Sequence, residues 1–521
     1  MKLLRQHATL VRFTAVLSIY AFLLQGCTKW KAQPLEPERF AASKSPGSVR
    51  ITLANGARAT ASHPWIENDS LLWKLEGSRA KDPVQRTGVP LADVAKVEVR
   101  GFDAVRTTVY VVVGLGAVVA IVAASDPSFG PTFGGGGGGG YGGESCPVVY
   151  SWDGSDWRLD SGTFGGAIVA ALARSDVDNL DFVKPEAGSV RLKLANVLNE
   201  TEYVDALSLL LVDHDPDVTV APDGAGRLHT VGPLTHALTA HDYLGRDALA
   251  RIAAADGWSW ESSPTQRDPH ATADLRDGIE LAFARPAGAR AVRLVVDGNN
   301  TAWAARSLEA LVALHGRATQ AWYDSLNAAP AATQQLATKF AREAFLTVSV
   351  WEGGTWQPHG LMWEASPEVV KRQVLPLDLS RVAGDTVRLR LESIPSFWLL
   401  DQVALDFSPE RPLTTTEVAA ASGRDQHGQD VRDPLAAVDH RFLTLEPGDF
   451  SELRFTVPDV PAGRARTHLV RSTGWYRLHT GEAAEPDVTL LTRTVKEPLG
   501  FAQLSVAMMN DALAAMRLAA R

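Results

Sequence analysis

The sequence predicts a mainly β protein in which antiparallel strands form layered sandwiches and a few helices are inserted between them. Apolar and charged side chains alternate through short runs such as 189–194 and 386–391, as they do in strands with one buried and one solvated face. Turn residues separate these runs, for example at 153–155 between two tryptophan-bearing segments. Helical periodicity is confined to fewer segments, namely 243–255, 303–327, 333–342 and 501–520.

The bulk composition is that of a globular protein large enough for several domains. The chain has 521 residues, of which 45% are hydrophobic and 21% charged, so each domain can bury its own core. The net charge is −9, and no basic run occurs. This balance argues against nucleic acid as a partner, because nucleic-acid binding relies on clustered cations.

The first 27 residues carry the strongest targeting signal. Lys2 and Arg5 place positive charge near the start of the chain, an uncharged run covers 13–24, and Gly26 precedes Cys27. Residues 1–26 therefore read as a secretory signal peptide. The alternatives are an ordinary signal peptide and an N-terminal anchor helix, with Cys27 there by chance.

The end of this segment resembles the lipobox of bacterial lipoproteins. The resemblance implies that Cys27 is acylated, that the chain is cut just before it, and that the lipid holds the protein in the cell envelope. Thr28, rather than an aspartate, follows the cysteine, and by the same resemblance the outer membrane is favoured. The membrane is thus an expected partner.

Composition divides the N-terminal part into four segments. A polar tether is expected at 27–47, and a strand-rich module at 48–104 resembles a small SH3-like β-barrel. An apolar stretch at 107–125 is a candidate transmembrane helix at the short end of what spans a bilayer, or else a helix that packs against a membrane, a partner or the barrel. A flexible linker with seven consecutive glycines occupies 126–145.

The larger C-terminal part is expected to hold three domains and a terminal helix. The predicted boundaries are a β-rich domain at 146–300, a jelly-roll-like domain at 301–410, a β-rich domain at 411–495 and a helix at 496–521. Cys146 begins this part, and no neighbouring His or cation activates it, so a packed structural thiol is expected. The region 146–229 also resembles uncharacterised secreted proteins and lipoproteins of bacteria, a group from which no activity carries over.

One short motif, W-[DE]-G-x-x-W, occurs twice. It begins at Trp152 and again at Trp351. An aromatic side chain before a tight turn and another after it can pack across two paired strands. The repetition indicates either two similar β units or the same turn chemistry used twice.

The segment 375–405 resembles the last strands of galactose-binding-like jelly-roll domains. The match rests on Leu379-Ser380, Ala383-Gly384 and the strand that contains Asp401. Such domains often bind glycans on loops at one end, and Gln402 here replaces the second Asp of the family pattern. The ligand-binding candidates are Trp351, Trp356, Trp363, Trp398 and Asp401.

Acidic clusters supply the candidates for chemistry. Asp213, Asp215 and Asp217 form one group, and a second covers 425–433. Carboxylates can bind calcium or act as acids, but solvated turns are the favoured interpretation of both groups. No zinc motif, no G-x-S-x-G and no nucleotide fingerprint occurs, so no metal, no cofactor and no catalytic residue is expected.

These observations predict an envelope lipoprotein whose body is a non-catalytic binding or structural module. One alternative is a glycan-binding surface protein, which exposed and coplanar tryptophans would favour. The other is an envelope hydrolase, which a deep pocket around Asp213, Asp215 and Asp217 would favour. An envelope protein or a glycan is the expected partner.

Overall fold

The structure, a computed structural model, describes two parts of the chain. They are six strands between residues 28 and 102, and residues 147–519 except 263, 364–365, 368 and 482–483. The chain divides into two compact units, Met1–Gly139 and Gly140–Arg521. The predicted signal peptide, Cys27, the apolar stretch 107–125, the glycine linker 126–145 and Cys146 lie outside the described residues.

The first unit contains one antiparallel sheet of six strands in the order β1-β6-β2-β3-β4-β5. The strands are β1 (Thr28–Gln33), β2 (Ser48–Leu53), β3 (Arg58–Glu67), β4 (Ser70–Lys74), β5 (Arg86–Pro90) and β6 (Val94–Phe102). In the described residues this sheet is open, because no pairing joins β1 to β5. The SH3-like barrel therefore stays a prediction. Strand β1 lies within the segment predicted as a tether and pairs with β6.

The second unit is the body of the protein, and most of its elements are strands. Those before the helices are β7 (Val148–Trp152), β8 (Trp157–Gly162), β9 (Arg174–Asn179), β10 (Ser189–Ala195), β11 (Glu200–His214), β12 (Thr219–Pro222), β13 (Leu228–Val231), β14 (Thr235–His236), β15 (Thr239–Asp242), β16 (Trp260–Glu261), β17 (Asp277–Ala284) and β18 (Ala291–Asn300). Those after them are β19 (Leu346–Glu352), β20 (Thr355–Met362), β21 (Lys371–Asp378), β22 (Thr386–Ser393), β23 (Trp398–Asp406), β24 (Thr414–Val418), β25 (Ser422–Asp425), β26 (Leu443–Leu445), β27 (Phe450–Thr456) and β28 (Ala465–Leu478). The helices are α1 (Ala302–Ala313), α2 (Thr319–Ala328), α3 (Pro330–Ala344), α4 (Val488–Lys496) and α5 (Gly500–Ala519).

These strands build two β-sandwiches, so the predicted mainly β, sandwich-like class is confirmed. In the first sandwich, the outer sheet β25-β27-β10-β7-β8 faces the inner sheet β24-β11-β28-β9, to which β26 adds through β11. In the second sandwich, the outer sheet β15-β17-β22-β19-β20 faces the inner sheet β14-β23-β18-β21, to which β16 adds through β23. Each sandwich has its own apolar core, built around Leu192 and Leu209 in the first and around Leu389 and Leu294 in the second.

The two sandwiches have the same topology, strand for strand. Replacing β7–β11 by β19–β23, and β24–β28 by β14–β18, converts both sheet orders of the first sandwich into those of the second. The second sandwich is continuous in the chain, whereas the first consists of two half-units that flank it. The first sandwich is therefore a circular permutation of the second, and the C-terminal half-unit β24–β28 completes it.

Strand register supports this equivalence at the level of single residues. A β-bulge interrupts β7–β8 after Val149 and β19–β20 after Val348, which are equivalent positions. A second bulge leaves Asp205 unpaired in β11 and Asp401 unpaired in β23. Irregularities of this kind are specific features of a strand pair, so their repetition shows that the two sandwiches share one structural unit.

A two-stranded hairpin, β12–β13, lies between the central strands of the two inner sheets. On one side Val220 packs with Leu210 of β11, and on the other Val231 packs with Val295 of β18. The central parts of β11 and β18 are therefore buried on both faces, where they carry the apolar runs 209–212 and 294–296. The resulting order of layers is outer sheet, inner sheet, hairpin, inner sheet, outer sheet.

Three helices, α1 to α3, are inserted between β18 and β19 of the second sandwich, and α4 and α5 follow β28. The predictions at 303–327, 333–342 and 501–520 are confirmed by α1 to α3 and by α5. The helix predicted at 243–255 is wrong, because this segment forms a tight turn after β15 and only one short 3₁₀ turn, Leu249–Arg251. Among the described helices, none is both long enough and apolar enough to cross a membrane.

Strand pairing runs across the predicted domain boundaries at 300 and 410. Strand β10 pairs with β27, and β11 pairs with β28, so the segments 146–300 and 411–495 share one sandwich. The boundary at 300 falls between the two halves of the second sandwich, where α1 to α3 are inserted.

Candidate functional site

The first outer sheet presents a pair of tryptophans on its solvent side. Trp152 ends β7 and pairs with Trp157 at the start of β8, and their rings meet edge to face with centroids 5.5 Å apart. Two cations from the neighbouring strand β10 cover these rings. Arg191 lies 4.5 Å from the Trp152 ring and Lys193 lies 4.5 Å from the Trp157 ring. We call these four residues the first Trp–cation face.

The second outer sheet carries the same arrangement at equivalent positions. Trp351 of β19 pairs with Trp356 of β20, and the ring centroids are 5.1 Å apart at 69°. Arg388 lies 4.8 Å from the Trp351 ring, and Arg390 lies 4.4 Å from the Trp356 ring. These four residues form the second Trp–cation face.

The local sequence explains why the first hairpin places its tryptophans opposite each other. Asp153 accepts hydrogen bonds from the backbone N–H groups of Ser155 and Asp156, both at 2.8 Å. These bonds lower the pKa of Asp153, since they favour the ionised form. Gly154 has φ +92°, a conformation that glycine adopts without strain. The short turn therefore fixes the register that brings the two rings together.

The cations come from a strand pattern that is also repeated. Strand β10 contains V-R-L-K-L and strand β22 contains V-R-L-R-L. The leucines of each pattern, such as Leu192 and Leu389, are buried in the two cores. The alternation therefore turns each Arg or Lys to the solvent side, beside the tryptophan hairpin. The sequence showed this pattern, but pairing it with the tryptophans requires the sheet order.

Carboxylates neutralise only some of these cations. On the first face, Glu452 lies 3.8 Å from Arg191, and Glu186 accepts a hydrogen bond from the Trp152 Nε1–H at 3.1 Å. Arg454 of β27 lies opposite Arg191 and adds a third cation, and no ion pair of the described residues involves Arg454 or Lys193. On the second face, Glu280 is the only ion-pair partner that the described residues offer to Arg388 and Arg390, at 3.9 and 2.6 Å. Both faces therefore keep an excess of positive charge.

The remaining predicted ligand-binding residues do not join this site. Trp398 is 1% exposed, and its Nε1–H donates to the carbonyl oxygen of Ala344, so it is a core residue that a surface ligand cannot reach. Trp363 directly follows β20, is 41% exposed and packs against Phe345 rather than against Trp351 or Trp356. Among the candidates, the structure brings only Trp351 and Trp356 together.

Asp401 anchors a turn. It is buried in the bulge of β23 and accepts hydrogen bonds from the Gly257 N–H and the Ser259 hydroxyl. The equivalent Asp205 accepts from the N–H groups of Asp439 and His440 in the first sandwich. An aspartate in the bulge of an inner-sheet strand thus orders a loop in both sandwiches.

The cluster of Asp213, Asp215 and Asp217 is an ion-pair network. Arg466 binds Asp213 through two nitrogens at 2.6 and 2.9 Å, a strong bidentate geometry. Arg411 lies 2.8 Å from Asp217, and Asp215 contacts both Arg464 and Arg411. These contacts tie the ends of β11 and β28 to the connection that precedes β24.

The second acidic cluster, at 425–433, accepts hydrogen bonds within turns. Asp425 accepts hydrogen bonds from the N–H groups of His427 and Gln429, and Asp430 pairs with Arg432. The guanidinium of Arg432 lowers the pKa of Asp430 to about 2. Across the described residues, no three His, Cys, Asp or Glu side chains form a group that would hold a metal ion.

Sequence reasoning missed a buried acid pair at the end of the first sandwich. Glu200 and Glu202 are both fully buried, and none of their four carboxylate oxygens has a hydrogen-bond partner within the part of the chain that the structure describes. Burial raises the pKa of both groups well above its usual range, because desolvation disfavours the charged form. The only sequence signal is the spacing E-x-E, which places both side chains on one face of β11.

A groove of about 500 Å³ lies between α3 and the segment before α5. Its charged residues are occupied by helix ends. Lys339 donates to carbonyl oxygens at the end of α4, and Glu343 accepts from the first N–H groups of α5. This groove therefore helps to hold the helices together.

No protein-family model matches the chain, and no curated protein matches it.

Proposed function

We propose that the chain is a lipid-anchored protein of the bacterial cell envelope whose body, residues 147–519, is a non-catalytic module that binds an envelope glycan. The observation that carries the proposal is the repetition of the Trp–cation face on both outer sheets. Core positions repeat because the fold requires them, but solvent-facing tryptophans and cations are not needed to build a sandwich. Such residues are enriched at binding surfaces, so their repetition supports a shared surface role.

The anchor is proposed from the N-terminal sequence. Residues 1–26 have the build of a signal peptide, and Gly26-Cys27 resembles the lipobox end. Lipid on Cys27 would hold the body at the membrane, and Thr28 favours the outer membrane by the same resemblance. The candidate span 107–125 is a second membrane contact in this proposal.

The hydrolase alternative has less support. It depends on Asp213, Asp215 and Asp217 acting as acids or bases in a pocket. Each of these carboxylates contacts an arginine instead. A structural role for these three residues explains their contacts fully.

Binding of the full chain to isolated envelope polysaccharide tests the proposed function. Detergent-solubilised protein is incubated with peptidoglycan sacculi in one arm and with extracted surface polysaccharide in the other. We expect binding in one arm, with the paired substitutions Trp152→Ala/Trp157→Ala and Trp351→Ala/Trp356→Ala each weakening it about tenfold. Trp258→Ala is the control, because Trp258 forms a similar pair with Arg251 outside both faces.

The combined variant decides the outcome. It lacks all four tryptophans, and its folding is checked by comparing its thermal unfolding with that of the wild type. Loss of binding in a folded combined variant supports the proposal. Unchanged binding by this variant, or no binding by the wild type in either arm, contradicts it.

A further inference from the structure

We propose that the ligand of both Trp–cation faces is a carboxylated polysaccharide, and that one protein molecule bridges two chains of it. The inference rests on the proposed function and names its ligand class. Three features of the described residues carry it: the covered rings, the excess of positive charge and the order of layers.

The geometry of the rings argues against sugar stacking as the main contact. A sugar ring packs on a flat aromatic face, and two coplanar rings would offer a platform. Here the rings of each pair are inclined by 70° and 69°, and a cation covers a face of every ring at 4.4 to 4.8 Å. What each face offers a ligand is therefore chiefly cationic N–H groups held in place by aromatic rings.

The positive charge on both faces favours an anionic partner. Lys193 lies between the rings of Trp157 and Phe450 at 4.5 and 5.6 Å, with no carboxylate partner among the ion pairs of the described residues. Arg388 and Arg390 share the single carboxylate of Glu280. Cations fixed by stacking lose less side-chain entropy when they bind a carboxylate, so these positions are prepared for anionic groups.

The density of charge favours a polysaccharide over nucleic acid. Glu452 and Glu280 remain on the two faces, and the whole chain carries a net charge of −9. Duplex DNA presents a negative charge about every 1.7 Å along its axis, which these carboxylates would repel. A polymer with one carboxylate per sugar can place its charges on the cations and its hydroxyl groups near the acids.

The order of layers is the reason for inferring that one protein molecule bridges two polysaccharide chains. The hairpin β12–β13 lies between the two inner sheets, so the two outer sheets are the outermost layers of the body. Their solvent sides point away from each other, and a single short chain segment cannot contact both. Each face therefore binds its own segment, and two faces on one body join two chains.

Polygalacturonate and its fully methyl-esterified form are the probes. Affinity is measured by biolayer interferometry with the full chain in detergent, and bridging by light scattering of the polymer. The face variants are Arg191→Gln/Lys193→Gln and Arg388→Gln/Arg390→Gln. Arg317→Gln/Arg493→Gln is the matched control, since it removes two exposed cations that pair with Glu485 and Glu497 on or near helices.

We expect the wild type to bind polygalacturonate and to raise its light scattering, with binding that weakens as salt increases. Each face variant should abolish the scattering increase, because only one working face remains. It should also bind immobilised polymer about fivefold more weakly, since the avidity of two faces is lost while the affinity of the remaining face is unchanged. The variant that combines both faces should not bind. The control should behave like the wild type.

Three results would overturn the inference. Equal binding of the methyl ester, or no binding of either polymer, would show that the ligand is not a carboxylated polysaccharide. The proposed function would then still be tested separately, by the binding experiment with envelope polysaccharide. A light-scattering increase that persists in a variant of one face would contradict the claim that the two faces bridge two polymer chains. A face variant that fails to fold is replaced by the single substitution Lys193→Gln or Arg390→Gln, which removes one cation of the same face and should also weaken binding.

Discussion

Gly298 and Gly474 show at the residue scale how closely the two sandwiches correspond. They lie opposite the bulged Asp401 and Asp205 in the inner sheets. A Cβ on Gly298 would approach the carbonyl oxygen of Leu399 to 2.8 Å, and one on Gly474 would approach that of Tyr203 to 2.5 Å. Both glycines are needed because the backbone of the next strand comes too close for a side chain.

Gly298→Ala and Gly474→Ala should therefore destabilise the body in the same way. We expect each to cost about 1–3 kcal/mol, the usual cost of forcing an atom into a packed site. Gly481→Ala is the control, because nothing lies within 4 Å of its Cβ position. Urea unfolding of the full chain measures the three values. A neutral effect at either equivalent glycine would contradict the close backbone approach.

Glu200 and Glu202 make folding sensitive to pH. Their pKa is raised in the folded protein by burial, and Asp449 adds repulsion at Glu202. The folded state therefore retains protons that the unfolded chain releases above its ordinary glutamate pKa. The stabilising effect of these protons is complete below that value and is lost as pH rises towards the folded pKa.

Glu200→Gln/Glu202→Gln should consequently flatten the pH dependence of stability. The wild type should lose up to about 1.4 kcal/mol per pH unit for each proton released on unfolding between pH 5 and 8. The double variant should show a smaller slope over the same range, and exposed Glu417→Gln should keep the wild-type slope. Equilibrium urea unfolding at several pH values gives the slopes. Equal slopes in the wild type and the double variant would exclude the buried pair as the cause.

At the scale of elements, β9 and β21 connect the two sandwiches through a buried ion pair. Lys371 of β21 lies 3.2 Å from Asp178 of β9, and their side chains are 8% and 4% exposed. Burial raises the pKa of Asp178, and the ammonium of Lys371 opposes that effect. The two strands are equivalent members of their sandwiches, so the contact joins matching edges.

Lys371→Met should destabilise the body by about 3–5 kcal/mol, because it leaves a buried carboxylate without its partner. Adding Asp178→Leu should restore most of the loss. Arg471→Met is the control, since its partner Glu417 is about half exposed and such surface pairs contribute at most about 1 kcal/mol. Thermal unfolding compares the four proteins. A loss in Lys371→Met no larger than in the control would contradict the structural role of this pair.

The strands were predictable to a large extent, and one predicted helix was not a helix. Alternation located β10 and β22, and the acidic-glycine turn located the hairpin that contains Trp152. At 243–255 the apolar spacing suggested a helix, but Asp242 accepts hydrogen bonds from the N–H groups of Leu244 and Arg246. Gly245 has φ +75°, so the side chain and the glycine together close a turn instead. Local turn chemistry outweighed the apolar periodicity.

At the scale of the whole molecule, the arrangement of the two sandwiches could not be predicted from the sequence. The two half-units of the first sandwich are separated in the chain by the complete second sandwich. The motif at Trp152 and Trp351 indicated a repeat, but not that β24–β28 closes the first sandwich. Of the predicted ligand residues, Trp398 is in the core because its strand is buried on both sides. The cations Arg191 and Arg388 were missed as site residues, since only the sheet order brings them beside the tryptophans.

The proposed anchor predicts a specific chemical state for the mature chain. Intact mass spectrometry should show a protein that starts at Cys27 and carries acyl chains, and Cys27→Ala should remain unlipidated. After an alkaline wash, release of Cys27→Ala from membranes indicates that lipid is the main anchor. Retention of this variant indicates that 107–125 also holds the membrane. An unlipidated wild-type chain would contradict the lipoprotein proposal.

The number of ligand sites on the folded protein tests the two-face account most directly. Isothermal titration of the full chain with a short galacturonate oligomer should give two sites of similar affinity, because the two Trp–cation faces are equivalent. Arg388→Gln/Arg390→Gln should reduce this number to one and leave the remaining affinity unchanged. A single site in the wild type, or two sites that persist in the variant, would contradict the account.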